Sequence, residues 1–363
     1  MPELFIGLMS GTSLDGVDAV LAAPRGARLR MLASCHRPYP WALRQRLLDL
    51  HRPGPDELDR AACAANALSA QYASAVRRLL SHARVGARAV TAIGCHGQTV
   101  RHRPDAGYTL QLVSGARLAE LTGIAVVCDF RSRDVAAGGE GAPLVPAFHQ
   151  AMFRDARRDR AIVNVGGISN VTYLPARGRV TGFDCGPGNT LLDAWISEKR
   201  GKRYDAGGAW AARGRVIPRL LSTLLSHPFI RRRPPKSTGR HEFDLRWVKH
   251  ARSGGEQAAD VQATLLEFTA VAIARALQTH CAKAREIYLC GGGARNHALL
   301  ARLAALLPEQ RVASTAALGI EPEQVEALAF AWLARQALLQ QPGNLPAVTG
   351  ARGPRVLGAI YPR

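Results

Sequence analysis

The chain has 363 residues, 47% of them hydrophobic, with 35 glycines and 21 prolines. That composition excludes a disordered protein or a single minimal domain, and it leads us to expect two α/β domains. The formal charge of +20 would suit a nucleic-acid or membrane-surface binder, but five of the 48 basic residues are lysine and the other 43 are arginines scattered along the chain. With 6% aromatic residues and no recognised module, no nucleic-acid partner is expected.

Residues 4–9 are an apolar strand, followed by the small polar turn Ser10-Gly11-Thr12-Ser13 and a second strand carrying Asp15 and Asp18. Six apolar residues with no basic region before them predict neither a signal peptide nor a membrane span, and no later stretch is long enough to span. Gly11 and Gly16 are expected to let the chain turn sharply and let an anion approach main-chain N–H groups. An ordinary β-hairpin would use the same residue types.

A strand is expected over 28–36 and a long Ala/Leu-rich helix over 56–82. A buried strand over 89–94 then runs into Cys95-His96-Gly97-Gln98-Thr99. Imidazole, amide and hydroxyl at a strand's carboxyl end suit ligand contacts, although a lone histidine is more often structural. The strand 124–128 ends at Asp129-Phe130-Arg131, which is either a local ion pair or a grip for an anion.

Residues 161–173 copy the opening hairpin, with a turn at Gly166-Gly167-Ile168-Ser169-Asn170. A second Ala-rich helix (258–282) and buried strand (286–290) lead into Gly291-Gly292-Gly293, repeating the order of residues 56–99. A duplicated α/β unit with a cleft between its copies follows. Between the repeats, a strand over 180–184 ends at Asp184, with a loop and a helix starting near Asn189, a favoured N-cap. Asp184 is then either a site carboxylate or a cap for nearby amides. Residues 200–256 look like an insertion, a substrate lid or a dimer surface. Glu326 lies in an Ala/Leu-rich helix over 321–340, either as a site residue or on the helix surface. The seven cysteines form no Cys-x-x-Cys pair, which argues for reduced thiols in a cytoplasm.

The motifs 7–18 (GLMSGTSLDGVD), 96–99 (HGQT), 129–131 (DFR), 141–146 (GAPLVP), 164–167 (NVGG), 183–189 (FDCGPGN), 235–240 (PKSTGR) and 290–294 (CGGGA) occur in this order over nearly the whole chain. Together they resemble the anhydro-N-acetylmuramic acid kinases. The resemblance implies a duplicated actin-like (ribonuclease H-like) two-domain α/β fold with an interdomain active-site cleft. The domains would be 1–135 and 136–363, with the insertion at about 200–256 in the second and the C-terminal tail free to pack back on the first.

It also implies a reaction in which water adds at C1 of 1,6-anhydro-N-acetylmuramic acid while O6 is phosphorylated by ATP. The products are N-acetylmuramic acid 6-phosphate and ADP, in peptidoglycan recycling. Asp184 matches the catalytic base. Gly11, Thr12, Ser13, Asp15 and Asp18 match the first phosphate loop, with Mg²⁺ expected between the Asp15 and Asp18 carboxylates and the phosphates, directly or through water. Gly166 and Gly167 would form the opposing loop, and Gly291, Gly292 and Gly293 would pass close to the nucleotide. His96, Gln98, Asp129, Arg131 and Glu326 would contact the sugar and its lactyl carboxylate. A cytoplasmic homodimer binding only these small molecules is implied. An ordinary sugar kinase or actin-like ATPase without ring opening is the alternative. Cys95 in place of serine and His241 in place of an acidic residue depart from the family pattern.

Overall fold

The computed structural model describes residues 3–11, 13–234, 236–238 and 242–363. Thr12 of the first turn, and Pro235, Gly239, Arg240 and His241 of the insertion, lie outside the described residues. The chain forms two compact units, one of Met1–Met152 with Gln324–Arg363 and one of Phe153–Glu323.

The first unit contains, in order, β1 (Leu4–Met9), β2 (Gly16–Arg25), β3 (Arg28–Pro38), α1 (Trp41–Asp49), α2 (Glu57–Ala83), β4 (Val90–Cys95), β5 (Gln98–Arg103), β6 (Tyr108–Leu112), α3 (Gly115–Thr122), β7 (Val126–Cys128), α4 (Ser132–Ala136) and α5 (Val145–Phe153). The second contains β8 (Arg160–Val165), β9 (Ile168–Leu174), β10 (Thr181–Pro187), α6 (Thr190–Arg200), α7 (Pro218–Leu225), α8 (Pro228–Arg231), α9 (Leu245–Ala251), α10 (Ala258–His280), β11 (Glu286–Cys290), α11 (His297–Leu306) and β12 (Arg311–Ser314). The chain returns to the first unit with α12 (Val325–Leu338), α13 (Pro346–Thr349) and β13 (Ala359–Tyr361).

The main sheets have the orders β13-β7-β4-β1-β2-β3 and β10-β9-β8-β11-β12. In each, an antiparallel meander of three strands is continued on its first strand by two parallel strands. This is the ribonuclease H-like arrangement, present twice. In the first unit β13 adds antiparallel to β7, so the C-terminal tail completes that sheet.

The division between units falls at the last turn of α5, between Met152 and Phe153, beyond the sequence-based boundary at 135/136. Three hydrogen bonds tie residues 134–152 to the first unit. The Leu29 amide meets Met152 Sδ at 3.3 Å, and buried Asp134 accepts from Asn344 Nδ2 at 2.6 Å and Thr349 Oγ1 at 2.8 Å.

α2 forms where the helical apolar spacing lies, burying Leu68, Tyr72, Val76 and Leu79 against the sheet, and it ends at Arg84 in the left-handed region. α10 is buried from Val261 to Ala270 and centres the second core. α12 lies closer to its sheet than side chains normally permit. A Cβ on Gly7 would stand 1.8 Å from the Ala327 carbonyl oxygen, and one on Gly94 1.9 Å from that of Phe330. Those two glycines let the helix rest on β1 and β4 backbone, and this sets where its first two turns project. The insertion is no free flap: Phe229, Phe243 and Val248 are fully buried, and Trp247 meets Phe268 of α10 with ring centroids 5.8 Å apart. Among the described residues no helix is long and apolar enough to cross a membrane.

Candidate functional site

In the first unit the β1–β2 turn is welded to the segment after β4. Ser10 Oγ donates to the Gly97 carbonyl at 3.0 Å and shares a 2.7 Å bond with the Tyr72 hydroxyl. Gln98 Nε2 donates to the Gly11 carbonyl at 3.2 Å, while its buried Oε1 has no partner among the described residues. The expected role of the glycines is corrected here. Among the described residues of the turn, the left-handed one is Leu14 (φ 54°), held by its amide on the Gly11 carbonyl. Gly16 is required by strand packing, because a Cβ there would lie 2.3 Å from the Arg37 carbonyl oxygen. Gly11 has no such neighbour, which leaves the turn open to a ligand. Exposed Asp15 accepts from Ser13 Oγ at 2.8 Å, and Asp18 pairs with His36 Nδ1 at 2.8 Å.

Buried His96 and half-buried Arg131 form the centre of this half. Arg131 donates from Nε (3.3 Å) and Nη2 (2.9 Å) to His96 Nε2, and from Nη1 to the Gly141 carbonyl at 2.8 Å. Since Nε2 accepts, the ring proton sits on Nδ1, which faces the Ser10 carbonyl at 3.3 Å. Burial first, and the Arg131 charge second, push the His96 pKa down to about 3, so the ring stays neutral and is no proton carrier at neutral pH. Burial also lowers Arg131 to about 10, opposed by the carboxylates of Glu326 and Asp134.

Glu326, in the first turn of α12, therefore acts on Arg131, and Phe330 one turn later lies 4.8 Å from the His96 ring. Of the two readings open for Asp129 and Arg131, the local ion pair does not form: Asp129 is exposed, left-handed (φ 55°), and accepts from Ser132 Oγ at 2.5 Å. Asp134 accepts the Gly141 amide at 2.8 Å and so secures the carbonyl that Arg131 uses.

In the second unit the hairpin turn is Gly166-Gly167 alone, with Ile168 to Asn170 already in β9. Its carbonyls are taken by the loop after β10: the Asn189 amide bonds Gly166 O at 2.8 Å, and the Gly188 and Thr190 amides bond Gly167 O at 2.9 and 3.1 Å. What the turn has left to offer a ligand is N–H. Gly291 packs on the same end of β8. It is left-handed (φ 76°), and a Cβ there would meet Asn164 Oδ1 at 2.3 Å. Gly166, Gly167 and Gly291–Gly293 thus converge on the carboxyl end of β8. Asn189 does not cap α6 with its side chain, as its sequence position suggested, because Nδ2 is drawn to the Val165 carbonyl at 3.1 Å.

Asp184 is not at a strand's end. β10 continues to Pro187, and the register slips between Asp184 and Gly186, a bulge that re-aims the side chain. The residue is 9% exposed. Its Oδ2 accepts from the Thr238 amide at 2.9 Å and Ser237 Oγ at 3.2 Å. Burial pushes its pKa up to about 6 against the pull of those two donors and the Lys236 ammonium. A carboxylate that is ionised at neutrality yet close to its pKa can take a proton from water.

Lys236, Ser237 and Thr238 lie in the 235–240 motif but were given no site role from the sequence, because nothing local ties them to Asp184. Phe330, Asp134 and Asn164 were given none either. Asn164 carries a signal in its NVGG motif, whereas Phe330 looks like any other core aromatic.

Residues 3–363 match the family model described as anhydro-N-acetylmuramic acid kinase. A protein of that name from Nitrosomonas europaea is 54% identical over 360 residues, covering 99% of both chains. Another from Thiobacillus denitrificans is 56% identical over 364 residues, covering 99% of this chain and 97% of its own. One from Pseudomonas paraeruginosa is 54% identical over 364 residues, covering 100% and 99%.

Proposed function

Because the chain belongs to the anhydro-N-acetylmuramic acid kinase family, we propose that it opens the 1,6-anhydro ring of 1,6-anhydro-N-acetylmuramic acid with water and phosphorylates O6 from ATP, in cell-wall recycling. The observation that carries this reading is Asp184, a buried carboxylate with one oxygen held by two donors and a pKa raised to about 6. A plain transfer to a free hydroxyl needs no base beside an anomeric carbon.

In the step itself a water oxygen bonds to C1 and gives one proton to Asp184 as the C1–O6 bond breaks. O6 takes the γ-phosphoryl group, and the bond from that phosphorus to ADP breaks. One proton is released overall, from Asp184 to solvent. Capture by phosphorus stabilises the departing O6, so no second carboxylic acid is needed to protonate it.

Phosphoryl transfer otherwise rests on positioning and charge neutralisation. Gly11 and Ser13 in the first unit, and the Gly166-Gly167 amides in the second, are the phosphate contacts in this reading, with Gly291–Gly293 beside the nucleotide. Thr12, named with them from the sequence, lies outside the described residues. Asp15 and Asp18 are solvent-accessible carboxylates, and among the described residues no cluster of three or more His, Cys, Asp or Glu could cage a metal. That donor set fits Mg²⁺, which keeps most of its waters and neutralises phosphate charge when bound.

Arg131 is the group for the lactyl carboxylate. His96 on the Nε/Nη2 edge and the Gly141 carbonyl on Nη1 orient its guanidinium for that contact. In this reading Gln98, Glu326 and Asp129 complete the sugar contacts. Arg131→Lys loses the fork and is expected to raise the sugar KM about 10–100-fold with the ATP KM unchanged; an equal rise in both would place Arg131 elsewhere. Seven free thiols fit a cytoplasmic enzyme. A homodimer is read by sedimentation.

ADP release on the anhydro sugar is compared with that on free N-acetylmuramic acid and glucose. Turnover on the free sugars alone would replace this reading with an ordinary sugar kinase. In ¹⁸O-water the label is expected at C1; label in phosphate would mean simple ATP hydrolysis.

A further inference from the structure

Resting on the reading of Asp184 as the base, we propose that Ser237 and the Thr238 main-chain amide are its positioning groups, holding Oδ2 so that Oδ1 is the oxygen that receives the proton from water, while the Lys236 ammonium acts on its charge from a distance. β10 is the edge strand of the second sheet, so its outer side would present unpaired main-chain groups. Residues 236–238 cover that edge at Asp184. The Asp184 amide donates to the Lys236 carbonyl at 3.1 Å, and the next two residues return two donors to the carboxylate, both to the same oxygen. No described donor reaches Oδ1. A carboxylate pinned through one oxygen cannot rotate, and its other oxygen keeps a fixed direction.

Lys236 anchors the three residues. It is 8% exposed, and its Nζ donates to the Phe229 carbonyl at 3.2 Å and the Ile230 carbonyl at 3.5 Å while lying 4.7 Å from the Phe229 ring centroid. Phe229 is itself fully buried and stacks edge-on against Phe243 at 5.8 Å. The insertion thus carries its aromatic core to a point from which it aims a main-chain amide and a hydroxyl at the base and keeps a buried cation within electrostatic reach of it. All three favour the ionised carboxylate, the form that accepts a proton.

The test is the pH dependence of Ser237→Ala, with Ser237→Thr as rescue and Lys236→Met as a second variant. Ser237→Ala is expected to move the acid limb of kcat/KM up by about one pH unit, the worth of one hydrogen bond to a charged group, with turnover lowered also at pH 8 but by less than at pH 6. Ser237→Thr should return the limb, and Lys236→Met should move it the same way as Ser237→Ala. The Asp184 carboxyl stretch, isolated by infrared difference against Asp184→Asn in the full, substrate-free protein, should titrate with the same displacement. An unmoved infrared titration, or an equal loss of turnover at every pH, overturns the proposal. Normal turnover by Asp184→Asn would instead remove the reading of Asp184 as base, and the infrared titration would still decide whether Ser237 acts on that carboxylate.

Discussion

Asp184→Asn is expected to lower turnover about 10²–10⁴-fold while leaving the protein at least as stable as the parent at pH 7.5. The first effect follows from removing the only group in the reading that can take a proton from the attacking water. The second follows from the cost of burying the charge. Moving the carboxyl from its ordinary 3.8 to about 6 makes the ionised form unfavourable by roughly 3 kcal/mol in the folded state, at 1.36 kcal/mol per unit.

The direction is that of a raised group. Its contribution to stability is fully present below pH 3.8 and is lost as pH rises through about 6. The asparagine variant has no such loss, so its melting temperature should exceed the parent's at pH 7.5 and the two should converge near pH 4. The parent's acid limb in kcat/KM should fall near pH 6, since turnover needs the ionised form. Single-turnover ADP release and thermal melts across pH read all of this. A variant that is inactive because it is unfolded, or one that is active, would both contradict the assignment.

Gly7→Ala carries the second large effect, on stability and on the sugar site together. The added methyl would stand 1.8 Å from the Ala327 carbonyl oxygen and 2.7 Å from the Ala331 amide nitrogen. Both are main-chain atoms of one helix and cannot swing aside. α12 must therefore lift from the sheet, at a cost of about 3 kcal/mol or more. Its lifting would also carry Glu326 away from Arg131 and Phe330 away from His96, contacts that depend on the helix's present height. Gly86→Ala is the control, with no atom within 4 Å of its added Cβ and an ordinary φ of −78°. Denaturant titration should show a large loss for Gly7→Ala and almost none for the control. Near-equal stabilities would mean that α12 has room this packing does not show.

Much of the fold was legible because its signals are local. The strand expected over 286–290 is β11 residue for residue, and the helices expected over 56–82 and 258–282 are α2 and α10 within a few residues. Helical and strand spacing depend on near neighbours only. The helix boundaries moved where a left-handed cap, Arg84, intervened.

Asp184 was legible as a site carboxylate, but it was placed at a strand's mouth, because a bulge leaves no mark in the pattern of apolar residues. His96 and Arg131 were named separately, yet the bond between them spans 35 residues and turns one into the other's orienting partner. Asp129 and Arg131, two residues apart, left an ion pair and an anion grip equally open, and the turn after β7 sends them to different partners.

By itself the sequence determined the duplicated order of elements, the glycine turns that open each copy, and the family, since all three are written in contiguous residues. Only the tertiary structure decided the electrostatic state of the site. The neutrality of His96 and the raised pKa of Asp184 come from how much water is excluded around each, and which oxygen of Asp184 is held comes from a segment more than fifty residues away in the chain. The closeness of α12 to β1 and β4 is of the same kind. Gly7 and Gly94 are ordinary strand residues until a helix from the far end of the chain is laid across them.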